Sequence, residues 1–295
     1  MNKQGYLNKV NLTAGKFDTF IEWMLFAMLA FMPFALGAVE AWSEQVVITF
    51  AFVIVVCFAL KLILCPDTTL SWFWVLIPVL LFLLIPIIQL IQMPTGLVSH
   101  LSSNTASVKT ELLGGLTNQE HSLDSMTLSF YPNATKHDLK LVLSIVAVFF
   151  VVLNVFRRPE QIKRLLVAIT VIGGAVVLLA LAQDITNADK IYWTIPVRYP
   201  AISGSFVNHS HYSQFMNLSI GAALGLLFIK LSEAFRGRQL DLPMITKYLT
   251  SPSGRVIWYV LAMIILGAAT IFVSMSRAGV ISILIAATFT TLIFS

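Results

Sequence analysis

From Phe20 onward the sequence returns repeatedly to apolar runs of about twenty residues, separated by short polar or basic segments. Coiled as a helix, such a run matches the hydrocarbon thickness of a bilayer, about 30 Å. In lipid every backbone N–H and C=O must find a partner, which leaves helices or closed barrels. A barrel needs strands that alternate apolar and polar residues, and these runs do not alternate. The fold class read from the sequence is therefore an all-α polytopic membrane protein. A hydrophobic fraction of 58% beside a charged fraction of 11% excludes an ordinary soluble globule, in which about 25% of residues are charged.

Eight spans are predicted, at residues 20–39, 46–64, 70–91, 140–156, 165–182, 211–229, 256–273 and 278–295, forming a single transmembrane domain over 1–295. Lys3, Lys9 and Lys16 precede the first, which has no cleavage site after it and is expected to remain as a signal anchor. Pro78 and Pro86 predict kinks in the third, and Gly173-Gly174 predicts close helix approach in the fifth. The cluster RRPEQIKR (157–164) and the stretch 230–255 mark cytoplasmic segments. With both ends inside, all but six of the 19 Lys and Arg face the cytoplasm, the exceptions being Lys109, Lys136, Lys140, Lys190, Arg198 and Arg277. The segments 93–138 and 183–210 are then outer loops, and all five histidines, at 100, 121, 137, 209 and 211, fall on the outer side. The first is expected to lie on the membrane surface, with an amphipathic helix near 107–116. The sequence stops within the eighth run, which predicts a truncated polypeptide. Although the formal charge is +5, the basic residues form no aromatic-interleaved groove, so they are read as topology signals and no nucleic-acid partner is expected. Membrane lipids are the partners that composition implies.

One stretch, RYPAISGSFVNHSHYSQFMN (198–217), gathers titratable side chains at the mouth of the sixth span. Such groups are costly near lipid, so they point to function. Arg198 and Arg277 face outward against the charge trend. A guanidinium offers a planar fork of donors that suits phosphate oxygens, and Arg277 opens the eighth span, where free backbone amides favour an anion. Snorkelling into the headgroups is the alternative for either arginine alone. Asn208 and Ser210 are suited to cap a helix. His209 and His211 lie on one side of an extended backbone but about 200° apart on a helix. A histidine there suits a general base near neutral pH, or a surface hydrogen-bonding role. The H-x-H pair with Asp184 or Asp189 lacks any further ligand spacing, so neither a metal nor another cofactor is expected. There is no nucleophile elbow.

Four segments carry a resemblance: MPFALGAVEAWS (32–43), LSFYPNATKHDL (128–139), DKIYWTIPVRYPAISGSFVNHSHYSQFMNL (189–218) and VSMSRAGV (273–280). Together they resemble the O-antigen ligase and polymerase superfamily of bacterial inner-membrane glycosyltransferases. The third is similar to that family's F-V-N-x-N-H-[FY] region and is the most specific, and the fourth is similar to its S-x-S-R-[GA]-G turn. By position Asn208, His211 and Tyr212 match the third motif and Arg277 the fourth, while Ser210 stands where the family has a second Asn. The resemblance implies a C-type glycosyltransferase membrane fold. It also implies transfer or polymerisation of a glycan from undecaprenyl diphosphate, at the outer face of the bacterial inner membrane, to a glycan, lipid or protein acceptor. Ligases of this kind add a large outer loop with a catalytic histidine two spans further on, a region that would follow Ser295. In this reading His211 is catalytic, and Arg198, Asn208, His209, Tyr212 and Arg277 bind substrate without a nucleotide-sugar donor or metal. The rivals are a transporter or flippase of lipid-linked glycans and an inactive truncated copy. Mid-span regions almost free of ionisable groups count against coupled transport.

Overall fold

Continuous apolar runs leave the backbone no partner but itself, and helices result throughout. The computed structural model describes residues 3–66, 68–114, 124–197, 202–236, 242–274 and 276–294. Among the described residues six helices are long and apolar enough to cross a membrane. They are Thr13–Phe34 within α1 (Lys3–Phe34), α2 (Ala41–Leu64), α6 (Pro132–Val155), α7 (Pro159–Ile185), α8 (His209–Phe235) and α10 (Arg255–Val273). Between α2 and α6 come α3 (Leu76–Leu90), β1 (Gln92–Pro94), α4 (Thr95–Leu101), α5 (Ser103–Gly114) and β2 (Ser125–Thr127). The hairpin β3 (Lys190–Ile191) and β4 (Ile195–Pro196) precedes α8, α9 (Leu242–Leu249) precedes α10, and α11 (Arg277–Phe294) follows it. The chain is an all-α multi-pass membrane protein. It divides into two compact units, Met1–Asp18 with Ile48–Val155, and Thr19–Val47 with Phe156–Ser295.

In the first unit the third predicted span is shorter than its hydropathy suggests. Helix α3 has 15 residues, about 22 Å of rise, against roughly 30 Å of hydrocarbon. Pro78 falls in its first turn, where a backbone N–H has no helical partner in any case, so it helps to start the helix and does not kink its middle. Only Pro86 lies in the interior. The chain before α3 is non-helical and takes a side-chain partner: Ser71 N–H donates to Oδ1 of the buried Asn154 on α6 (2.9 Å). Helix α6 starts at Pro132 rather than near 140, because a proline at the first helical position is pre-set for helix even where the sequence is still polar.

The segment predicted as the larger outer loop carries α4, α5 and a two-stranded antiparallel sheet in which Met93 faces Met126. Val98, Ala106 and Met126 are buried together under Met93 and Leu128. From α5, Lys109 Nζ donates to the carbonyls of Thr127 (2.7 Å) and Ser129 (2.7 Å) and to Thr127 Oγ1 (3.0 Å), using all three ammonium hydrogens. Burial holds this lysine below its ordinary pKa. Lys61 near the end of α2 pairs with Asp18 of α1 at 2.5 Å.

The second unit is built on α7, α8 and α10. Val176, Val177 and Ala180 pack with Tyr212, Met216, Ile220 and Ala223 and with Val260, Met263 and Ile271. Gly173 permits this closeness, since a Cβ there would lie 2.5 Å from Ser219 Cβ and 2.8 Å from Met263 Cε. Its neighbour Gly174 does not share the role: a Cβ there would meet only Met263 Cγ, at 3.8 Å.

Candidate functional site

The chain reverses after α1 through a left-handed turn. Leu36, Gly37 and Ala38 have φ of 57°, 75° and 56°, a region that disfavours side chains by about 1–2 kcal/mol per residue. Neighbouring groups hold it in place. The ring of Phe206 lies against Gly37, where a Cβ would come 2.8 Å from Phe206 Cδ1. Tyr192 donates its hydroxyl to the Phe34 carbonyl (2.7 Å), and Leu36 packs with Ala188, Ile191, Tyr192 and Val197. Burial raises the Tyr192 phenol above its ordinary pKa. Tyr192 and Trp193, at the tip of the β3–β4 hairpin, and Asn187 before it also have positive φ. Among the described residues every non-glycine residue with positive φ thus lies in these two segments. Strain gathered in one place and held by its surroundings is a mark of functional regions.

Gln183, fully buried at the end of α7, ties the hairpin to the approach to α8. With its amide oriented to serve both ends, Nε2 donates to the Gly204 carbonyl (2.8 Å) and Oε1 accepts from the Tyr192 N–H (3.0 Å).

Asn208 is the N-cap of α8, its Oδ1 accepting from the Ser210 N–H at 2.8 Å. Its oxygen therefore already serves the helix. Asn208, His209 and His211 are exposed, whereas Tyr212 is fully buried, as the 100° step between adjacent helix residues allows. Its ring meets Phe206 edge-on at 5.9 Å, and its hydroxyl points toward Thr270 without closing a hydrogen bond. Tyr212 thus stands in the core beneath the exposed histidines. Arg277 is exposed as the first residue of α11. Behind it the buried Ser276 accepts from the Gly279 N–H (3.2 Å). Asn217 on α8 donates to the Gly279 carbonyl (3.2 Å), and the Ser213 and Ser274 hydroxyls stand 3.2 Å apart.

Three of the four segments that carry the resemblance therefore meet within one unit. Segment 32–43 touches 189–218 through Phe34, Gly37, Tyr192 and Phe206, and 189–218 touches 273–280 through Ser213, Asn217 and Gly279. No family model, curated protein or solved structure matches the chain. Segment 128–139 belongs to the other unit, and Arg198 lies outside the described residues. Among the described residues no three of His, Cys, Asp and Glu gather in one group.

Sequence reasoning missed Gln183, the Gly37–Phe206 contact and the Ser213–Gly279 contact. A lone amide at the end of an apolar run was the one visible sign of the first. The others depend on a shape that residue types alone do not announce.

Proposed function

We propose that the chain belongs to a bacterial inner-membrane transferase or polymerase acting on a glycan carried by undecaprenyl diphosphate at the outer face. The observation that carries this reading is the junction of the α8 start with the first turn of α11. It sets Arg277, Asn208, His209 and His211 on exposed positions at the beginnings of two packed helices. In the proposed reaction an acceptor hydroxyl forms a new bond to the anomeric carbon of the donor sugar. The bond from that carbon to the diphosphate oxygen breaks, and the hydroxyl proton passes to His211 or to an acceptor-bound water. Charge grows on the departing diphosphate, where the fork of Arg277, and of Arg198, offsets it. Eight spans complete this architecture, with α3 and α11, shorter as apolar helices, as the additional two, and a C-type glycosyltransferase arrangement is the fold it would share.

The test is glycan transfer by inserted, folded variants in membranes charged with lipid-linked glycan. Arg277→Lys keeps the charge and loses the bidentate fork, so transfer should fall on the order of tenfold, the worth of about 1.5 kcal/mol. His211→Ala and His211→Gln should fall equally if His211 takes the proton. Wild-type transfer by Arg277→Ala would overturn the reading.

A further inference from the structure

A cleft of about 800 Å³ opens between α1 and α7 in the unit that contains Thr19–Val47. That lies within the range of roughly 300–1,000 Å³ typical of small-molecule sites. Its walls are two stripes at helical spacing: Trp23, Phe26 and Ala30 on one side, and Val167, Ala168 and Val171 on the other. Both stripes end in charge at the same mouth. Glu22 is buried there, and Arg164 grips it through Nε to Oε1 and through Nη2 to Oε2 (2.7 Å). Two of the five guanidinium donors are thereby used and three remain, on a side chain 55% exposed. Lys163 binds both oxygens of Glu233 (2.6 and 2.8 Å). Glu160, exposed beside Arg164, completes the mouth.

The depth of the cleft selects its occupant. Its apolar walls run from Glu22 to Ala30 and from Arg164 to Ile172, each about 12 Å of helix rise. A partner helix would need a stripe near the full hydrocarbon thickness of about 30 Å, whereas one acyl chain occupies a single leaflet, about half of that. Charge selects the headgroup. Lys163 is taken up by Glu233 and Arg164 by Glu22, and Glu160 adds a further carboxylate at the mouth, so an anionic headgroup finds no surplus positive charge. A zwitterionic one finds both signs. Trp23, 66% exposed, sits at the same end, where an amphipathic ring suits the headgroup layer.

We propose that this cleft is a binding site for one zwitterionic phospholipid of the phosphatidylethanolamine class. Its phosphate is held by the free edge of Arg164, its ammonium by Glu160, and one acyl chain lies between α1 and α7. The basic segment 157–164 assigns it to the cytoplasmic leaflet.

The experiment is native mass spectrometry of the full chain in detergent, titrated with phosphatidylethanolamine and phosphatidylglycerol bearing the same two oleoyl chains. The wild type should retain the ethanolamine lipid about fivefold over the glycerol lipid, the upper worth of one exposed ion pair. Glu160→Gln should bring the two together. Ala168→Trp fills the cleft and should abolish retention of both; Val171→Trp, on the exposed part of the same wall, repeats the test if the first variant misfolds. Equal retention of both lipids by the wild type, or undiminished retention by the tryptophan variants, overturns the proposal. The readout is bound lipid and is independent of glycan transfer.

Discussion

Gly279 in the first turn of α11 lies so close to Ser213 of α8 that a Cβ on residue 279 would come 2.4 Å from Ser213 Cβ and 2.8 Å from its Oγ. One added carbon has no room. Gly279→Ala should therefore cost about 1–3 kcal/mol through overpacking, read as a lower thermal midpoint in micelles, and Ser213→Gly in the same chain should recover part of the loss. An unchanged midpoint for Gly279→Ala would show that the two helices separate freely.

Gln183→Ala removes the partner of the Tyr192 N–H and of the Gly204 carbonyl at once. Each orphaned buried group costs about 1–3 kcal/mol. Amide exchange in residues 190–196 should accelerate while α10 keeps its protection. Acceleration spread evenly over both would place the effect in the whole unit and not in the bridge.

Arg164→Ala leaves the carboxylate of Glu22, with its side chain 6% exposed, uncompensated. Removing one partner leaves a buried charge unpaired and should lower the thermal midpoint. Adding Glu22→Gln should restore most of that stability, a coupling visible in a double-mutant cycle. Simple additivity of the two changes would contradict it.

Single cysteines placed in 93–114 and 187–197, in a Cys57→Ala, Cys65→Ala background, should react with an impermeant thiol reagent from outside the cell. Cysteines placed in 245–255 should not. The reverse pattern would invert the orientation drawn from the basic segments.

Hydropathy located α1, α2, α6, α7, α8 and α10 because lipid thickness and backbone pairing leave an apolar run of that length few alternatives. It overextended α3, since Leu70 to Val75 are apolar enough for a span but precede a proline that sits in the helix's first turn. It set the start of α6 too late, since helix and hydrocarbon need not begin at the same residue. At the candidate site the cap at Asn208 was readable from residue type. The inward turn of Tyr212 was not, because H-S-H-Y offers no apolar periodicity to orient it. The left-handed Leu36 and Ala38 gave no warning either: both are ordinary helix formers, and the groups that hold their turn, Tyr192 and Phe206 among them, lie far along the chain.

Glu22 precedes its partner Arg164 by 142 residues. At synthesis rates of about 5–20 residues per second, roughly 7 to 30 s separate their appearance at the ribosome. During that interval the carboxylate on α1 lacks the guanidinium that holds it in the folded structure, and burial without that partner is unfavourable. The partner that holds Glu22 of α1 in its buried position therefore comes only with the start of α7.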